Sequence, residues 1–167
     1  MKKTLAIVLL SLAFFGCSSK SDDSIAIEPK LVVGKSLENL TLSDQHEKPH
    51  TLAPETTKLI FALNKESAHI CNDFFVTQSP EYLQEHQTQF IADVSSAPSL
   101  IRSMFIMPGL KEFKHTVLVL DDETKAAAFR SGVDTQKIIL VKVQNSTINS
   151  IETLSTEAEL KAAIETK

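Results

Sequence analysis

The chain has 167 residues, of which 43% are hydrophobic and 23% are charged, so it can bury one globular core, and its length argues against a second domain. Its formal charge at neutral pH is −4, and an acidic surface repels phosphate backbones. These numbers argue against a nucleic-acid partner.

The first sixteen residues have the layout of a secretory signal. Lys2 and Lys3 precede an apolar run of 11 residues from Leu5 to Phe15, and small residues follow. A helix needs about 20 apolar residues to span a bilayer, so this run is too short for a membrane anchor. We predict that residues 1–16 are a signal peptide. Its removal takes away two lysines and no acid, which changes the formal charge from −4 to −6.

The stretch "AFFGCSS" resembles the lipobox of bacterial lipoproteins, in which a small residue precedes a cysteine that carries lipid. Gly16 and Cys17 match it, whereas Phe14 stands where the family has Leu. The resemblance implies acylation of Cys17, with chains such as palmitate holding the protein on a membrane. In the sorting rule of that family, the residue directly after the lipidated cysteine selects the membrane. Ser18 at this position, in place of Asp, implies a protein held on the outer membrane and facing the periplasm. Alternatively, ordinary signal peptidase cuts after Ser18 and releases a soluble periplasmic protein. The function expected of such a protein is the binding of a small ligand.

Residues 17–30 form the predicted flexible tether, because they are mostly small, polar or charged and have no helical period. Residues 31–167 form the predicted domain. With Cys17 lipidated, Cys71 is the only remaining thiol, so no disulfide can form within the chain.

Strands and helices alternate along the predicted domain. An N-terminal hairpin over 36–52 is followed by buried strands, and the hydrophobic patterns place these strands at 58–63, 89–94, 115–122, 137–143 and 148–154. A helix capped by Ser67 carries Ile70, Cys71, Phe74 and Phe75 on one stripe, and a second helix is capped by Ser79.

Three further helices complete the prediction. One opens at Pro98, turns Leu100, Ile101, Met104, Phe105 and Met107 inward, and stops at the Pro108–Gly109 pair. A short helix covers 123–129. The last helix starts at Thr156 with Glu159 completing a capping box. This order predicts an α/β sandwich with a mixed central sheet flanked by helices.

The order and the local sequences resemble the thioredoxin-like superfamily, in particular its peroxiredoxin-like and thiol-disulfide oxidoreductase branches. The resemblance covers about residues 33–165 and includes "KLIFALNKESAHIC", which is similar to the strand that delivers the active site. Redox members carry C-x-x-C where that strand meets its helix. With Cys71 aligned to the second cysteine, Ala68 stands in place of the nucleophile, and "DTQKI" replaces the segment that holds the family's cis-proline.

Three interpretations of Cys71 follow. As a peroxidatic thiolate it would have Ala68 and Asn64 where the family pattern has Thr and Pro, with Arg102 as a candidate cation. As a copper ligand it would lack a partner, because Ser67 occupies the first position of C-x-x-x-C. As a buried thiol it would share a face with two phenylalanines, about one turn inside the helix, where burial raises the pKa of a thiol. We predict the buried, inert cysteine.

The remaining candidates have simpler interpretations. His46 and His50 flank a polar turn and are predicted to be solvated, and His69 is expected to point away from the Cys71 stripe. The acidic run 121–123 lacks the spacing of a calcium loop. Residues 111–115, "KEFKH", read as a small solvated basic patch. No metal or cofactor is therefore expected.

From these observations we expect a membrane-anchored envelope lipoprotein with a non-catalytic thioredoxin-like domain that binds another envelope component. The alternative is a single-cysteine thiol redox or peroxidase-type protein that uses Cys71.

Overall fold

The computed structural model describes residues 27–166. It contains seven strands, all at the positions that the sequence predicts. They are β1 (Thr41–Asp44), β2 (Pro49–Thr51), β3 (Lys58–Ala62), β4 (Thr88–Asp93), β5 (Val117–Leu120), β6 (Ile138–Gln144) and β7 (Thr147–Leu154). The helices are α1 (Lys65–Val76), α2 (Tyr82–Glu85), α3 (Ser99–Ile101), α4 (Met107–Lys111), α5 (Glu123–Arg130) and α6 (Glu157–Glu165), and a π-helical turn at Arg102–Ile106 joins α3 to α4.

The strands form one mixed sheet in the order β2-β1-β5-β4-β3-β6-β7. Strands β3, β4 and β5 are parallel to one another, while β6 runs antiparallel to β3 and β1 runs antiparallel to β5. The carboxyl ends of β3, β4 and β5 therefore meet at one edge of the sheet. The predicted mixed α/β sandwich is confirmed.

Each face of the sheet supports its own hydrophobic core, because successive side chains of a strand point to opposite faces. Ile60 and Ala62 of β3 face a core built with α1, α2, α4 and α6. Leu59 and Phe61 face a second core that contains Phe129 of α5. These four side chains of β3 are fully buried, as expected for a central strand covered on both faces.

The helix over 99–111 departs from two predictions. Leu100, Ile101, Met104 and Phe105 were expected to face the core, but all four are exposed. Met107 packs inward as predicted, together with Ile106 and Leu110. The segment carries apolar residues all round, and only one side of it can contact the sheet.

The same helix also runs past the pair that was expected to end it. Met107 N–H donates to the carbonyl of Arg102, five residues earlier, which makes the π turn. Pro108 then lies in the first turn of α4, directly after the π turn, and its fixed φ suits a helical position. The helix consequently continues through Gly109 to Lys111.

Two other helix starts differ from prediction. The second helix begins at Tyr82 rather than after Ser79, whose carbonyl accepts from Tyr82 N–H at 3.1 Å. At α6, Thr156 is the N-cap as predicted, but Glu159 accepts from the N–H of Ser155 rather than from that of Thr156.

The chain joins the domain at the first described residues. Lys30 N–H donates to the Ala128 carbonyl at 2.8 Å, and Lys35 pairs with Glu28 at 2.5 Å. Part of the segment predicted as tether thus contacts the domain. Within residues 27–166, no helix combines the length and the apolar character needed to cross a membrane.

Candidate functional site

The start of α1 is where the thioredoxin-like resemblance places chemistry, and here it is closed by side-chain caps. Asn64, directly after Leu63 and β3, is the N-cap. Its Oδ1 accepts from Ser67 N–H at 2.7 Å, and Ser67 Oγ lies 3.4 Å from Asn64 N, which completes a capping box. Ser67 is therefore the third residue of the helix, and the prediction that it is the N-cap was wrong. Either residue type can cap, and the sequence did not distinguish them.

Cys71 lies seven positions after the N-cap, nearly two turns inside α1 rather than the one turn expected. It is fully buried and belongs to the same core as Phe74 and Phe75. Burial raises the pKa of the Cys71 thiol far above its ordinary value, and no other cause contributes. The helix dipole acts mainly within the first turn, so it gives this thiolate little help. The thiol is consequently protonated at neutral pH.

Ala68, which the alignment set in the place of the nucleophile, is likewise inside the helix and half-buried. The junction of strand and helix is occupied instead by Asn64 and Lys65. Asn64 Nδ2 contacts Gln136 Oε1 at 3.3 Å, which links this junction to the segment before β6. Throughout residues 27–166 every peptide bond is trans, including those of that segment.

Arg102, the candidate cation, is committed elsewhere. Its Nη1 donates to the Asp121 carbonyl at 2.8 Å, just beyond β5. None of the hydrogen bonds among the described residues joins it to Cys71. The contact instead fixes the start of the 99–111 helix to the sheet edge.

A buried polar network at the end of β4 was missed by the sequence analysis. The Asp93 side chain is only 1% exposed and pairs with Arg130 of α5 at 3.2 Å. Ser95 Oγ lies 2.7 Å from Asp93 Oδ1 and 2.9 Å from Glu123 Oε2, and Glu123 also pairs with Arg130. The network holds α5 against the sheet. An acid ending a buried strand, Asp93 after "QFIA", was the sequence signal that could have revealed it.

His115 also occupies an unexpected place. The "KEFKH" stretch was expected to be solvated, yet His115 is only 4% exposed and Phe113 is half-buried. The imidazole contacts Phe75 and Phe113 with ring centroids 5.3 and 5.2 Å away, and its Nε2 has no hydrogen-bond partner. Burial lowers the pKa of His115 to about 4, so the residue is neutral and adds no charge to a basic patch.

Three other histidines divide between exposure and pairing. His46 and His69 are exposed, as expected. His50 is not simply solvated, because its Nε2 lies 2.7 Å from Asp44 Oδ2 in a half-buried pair. Burial alone would raise the pKa of Asp44, but hydrogen bonds from His50 and from two backbone N–H groups bring it below its ordinary value. No cluster of three or more metal-ligating side chains occurs among residues 27–166.

No protein-family model and no curated protein matches the sequence. Solved structures do resemble it. Reduced Prx3 from Vibrio vulnificus, in complex with hydrogen peroxide, shares 13% identity over 81% of this chain and 99% of its own, with a TM-score of 0.50. The thioredoxin domain of a thiol-disulfide oxidoreductase from Bacteroides vulgatus shares 12% over 81% and 99%, with a TM-score of 0.49. Peroxidoxin BcpB from Mycobacterium tuberculosis shares 15% over 79% and 93%, with a TM-score of 0.49. At these identities the similarity concerns the fold, and the chain has the thioredoxin-like fold that its sequence predicted.

Proposed function

We propose that this protein is a lipid-anchored component of the bacterial cell envelope whose thioredoxin-like domain binds another envelope component and performs no thiol chemistry. The observation that carries the proposal is the placement of Cys71, fully buried nearly two turns inside α1. A thiol needs exposure and a stabilised thiolate to act as a nucleophile, and Cys71 has neither.

The capping box at the start of α1 gives independent support. In a redox-active relative, the free N–H groups of the helix start stabilise the attacking thiolate. Here the Asn64 side chain accepts from Ser67 N–H, and Ser67 Oγ donates back to the Asn64 carbonyl at 3.1 Å. These side chains therefore stabilise the start of α1 itself, and a role in binding another component does not require a reactive group at this position.

The membrane anchor is proposed from the sequence alone, since Cys17 lies outside the described residues. Gly16 and Cys17 match the lipobox pattern, and the preceding apolar run is too short to span a bilayer. An acyl chain contributes about 0.8 kcal/mol for each buried CH₂ group, so several chains on Cys17 would hold the domain at a membrane surface.

Alkylation of Cys71 tests the loss of thiol chemistry. A chain that starts at residue 17 and carries Cys17→Ser has Cys71 as its only thiol. At neutral pH we expect this thiol to react with iodoacetamide at least about a hundredfold more slowly in the folded protein than in urea, because it is buried and protonated. The control for specificity is the Cys17→Ser/Cys71→Ser double variant, which should not react in either state.

Rapid labelling of the folded chain, together with peroxide consumption that Cys71→Ser abolishes, would instead establish the single-cysteine redox alternative. The anchor is tested separately by mass spectrometry of the mature N-terminus from cells. An acylated Cys17 supports the proposal, whereas a soluble protein cleaved after Ser18 would contradict its membrane part. Photo-crosslinking in intact cells then identifies the bound component.

A further inference from the structure

The 99–111 helix carries a contiguous patch of exposed apolar side chains. This apolar patch consists of Leu100, Ile101, Met104 and Phe105, which are 64%, 44%, 58% and 64% exposed. Spacings of one, four and five positions put two successive turns of apolar side chains on the outer side of one helix. Scattered exposed apolar residues are ordinary, but a contiguous group of four marks a surface that contacts something else.

The patch cannot turn inward, because the opposite side of the helix is already packed. Ile106, Met107 and Leu110 contact the core, and Arg102 is hydrogen-bonded to the Asp121 carbonyl. Rotating the helix to bury the patch would expose those contacts. The patch is therefore a fixed feature of the surface.

The charge around the patch differs from the charge of the rest of the chain. From Val94 to Lys111 the sequence contains Arg102 and Lys111 but no Asp or Glu, although the chain without residues 1–16 has a formal charge of −6. Lys111 and Lys114 are exposed at and just after the end of the helix, with one exposed acid, Glu112, between them, so residues 94–114 still carry an excess of cations. Apolar side chains flanked by cations are the composition that binds the interface of a membrane containing anionic lipid.

The length of chain before the domain also favours a membrane. Lys30 is held on α5, and Glu28 pairs with Lys35. Only 11 peptide units separate Cys17 from Glu28, and a chain of that length can reach at most about 40 Å. An anchored domain would therefore stay within that distance of the bilayer. Tethering at this range gives an effective concentration of about millimolar, so even weak surface affinity produces docking.

We propose that the apolar patch inserts into the headgroup region of the membrane that holds the lipid anchor, so that the domain lies on the bilayer in one orientation. This inference rests on the proposed anchoring at Cys17. It predicts that the 99–111 helix faces the membrane and that the surfaces away from it remain free for the envelope partner.

The chain contains no Trp, so one introduced indole reports on its own position. We would compare Phe105→Trp in the patch with Val76→Trp on α1, since Val76 is 61% exposed and matches Phe105 in exposure. Recombinant chain starting at Cys17 is coupled through that cysteine to a maleimide lipid, while buried Cys71 stays unmodified. The vesicles contain phosphatidylcholine with phosphatidylglycerol, with or without brominated acyl chains.

The expected result is a blue-shifted emission and quenching by brominated lipid for Phe105→Trp, with neither change for Val76→Trp. Adding Leu100→Glu and Met104→Glu to Phe105→Trp should reduce vesicle partitioning of the uncoupled chain by about tenfold or more, because the buried apolar area falls. Both substitutions are at exposed positions, and an unchanged urea midpoint confirms folding.

Equal behaviour of the two Trp variants on vesicles would overturn the inference. A blue shift of Phe105→Trp that grows with protein concentration and needs no vesicles would also overturn it, by showing that a second copy covers the patch. Because the maleimide lipid supplies the anchor, this result is independent of whether cells acylate Cys17. An unacylated Cys17 in the mass spectrum would therefore be a failure of the proposed function, distinct from a failure of patch insertion.

Discussion

Acidification should destabilise this domain through one buried imidazole. His115 sits among Phe75, Phe90 and Phe113, with no hydrogen-bond partner for its Nε2. A charged imidazole in that position would be desolvated and unpaired. Folding therefore favours the neutral form, and protonation favours unfolding.

The magnitude follows from the pKa values of the two states. Burial lowers the pKa of His115 from 6.5 to about 4 in the folded protein. Between these values the unfolded chain binds a proton that the folded chain does not, so the free energy of unfolding decreases as the pH falls. At about 1.4 kcal/mol per pKa unit, the loss attributable to His115 is roughly 3 kcal/mol, complete near pH 4.

Urea denaturation of the wild type and of His115→Phe at several pH values between about 7 and 4 measures this loss. The variant replaces the imidazole by an apolar ring in an aromatic environment, and we expect its curve to lack the His115 contribution. The difference in free energy of unfolding between the two proteins should shift by roughly 3 kcal/mol across the range. Asp44, whose pKa is lowered from its ordinary 3.8, is present in both proteins, so its contribution cancels in the difference. A difference that stays constant with pH would refute the buried neutral histidine.

Two further substitutions test the polar contacts of the candidate site. Asn64→Ala should lower the free energy of unfolding by about 1 kcal/mol, since it removes the N-cap of α1. The control Asn149→Ala, at an exposed position of β7, should change it by less than about 0.5 kcal/mol. Equal effects of the two substitutions in urea denaturation would argue against the cap. Arg130→Met should lower it by about 3–5 kcal/mol, because the buried Asp93 carboxylate loses its cation. Adding Asp93→Asn should recover part of that loss, and simple additivity of the two changes would contradict a direct ion pair.

The sheet could be predicted from the sequence because its strands carry their own pattern. The runs 59–63 and 138–141 are continuously apolar, which is typical of strands buried on both faces, and β3 and β6 are neighbours in the sheet. The orientation of the 99–111 helix could not be predicted in the same way. Its apolar residues form more than one stripe. Which stripe packs inward depends on residues that are distant in sequence, namely the core residues that the helix contacts and the Asp121 carbonyl that binds Arg102.

The candidate site shows the same division between local and distant information. The burial of Cys71 was predictable, since Phe74 and Phe75 lie on its own helical stripe. The network of Asp93 and Arg130 joins residues 37 positions apart, and periodicity carries no information on such a pair. His115 was misjudged because its basic neighbours, Lys111 and Lys114, suggested solvent, while its partners are aromatic rings from α1 and β4.

The causes of the inert thiol determine what would be needed to change it. Desolvation alone raises the pKa of Cys71, so its inertness does not arise from a nearby anion that a substitution could remove. A cation placed beside the sulfur would itself have to be buried in a core of phenylalanines, at a desolvation penalty of several kcal/mol. Reactivity therefore requires a cysteine at the helix start, where Asn64 now caps the N–H groups. The absence of thiol chemistry that we propose is thus a property of position in the fold, which adjustments around Cys71 would not reverse.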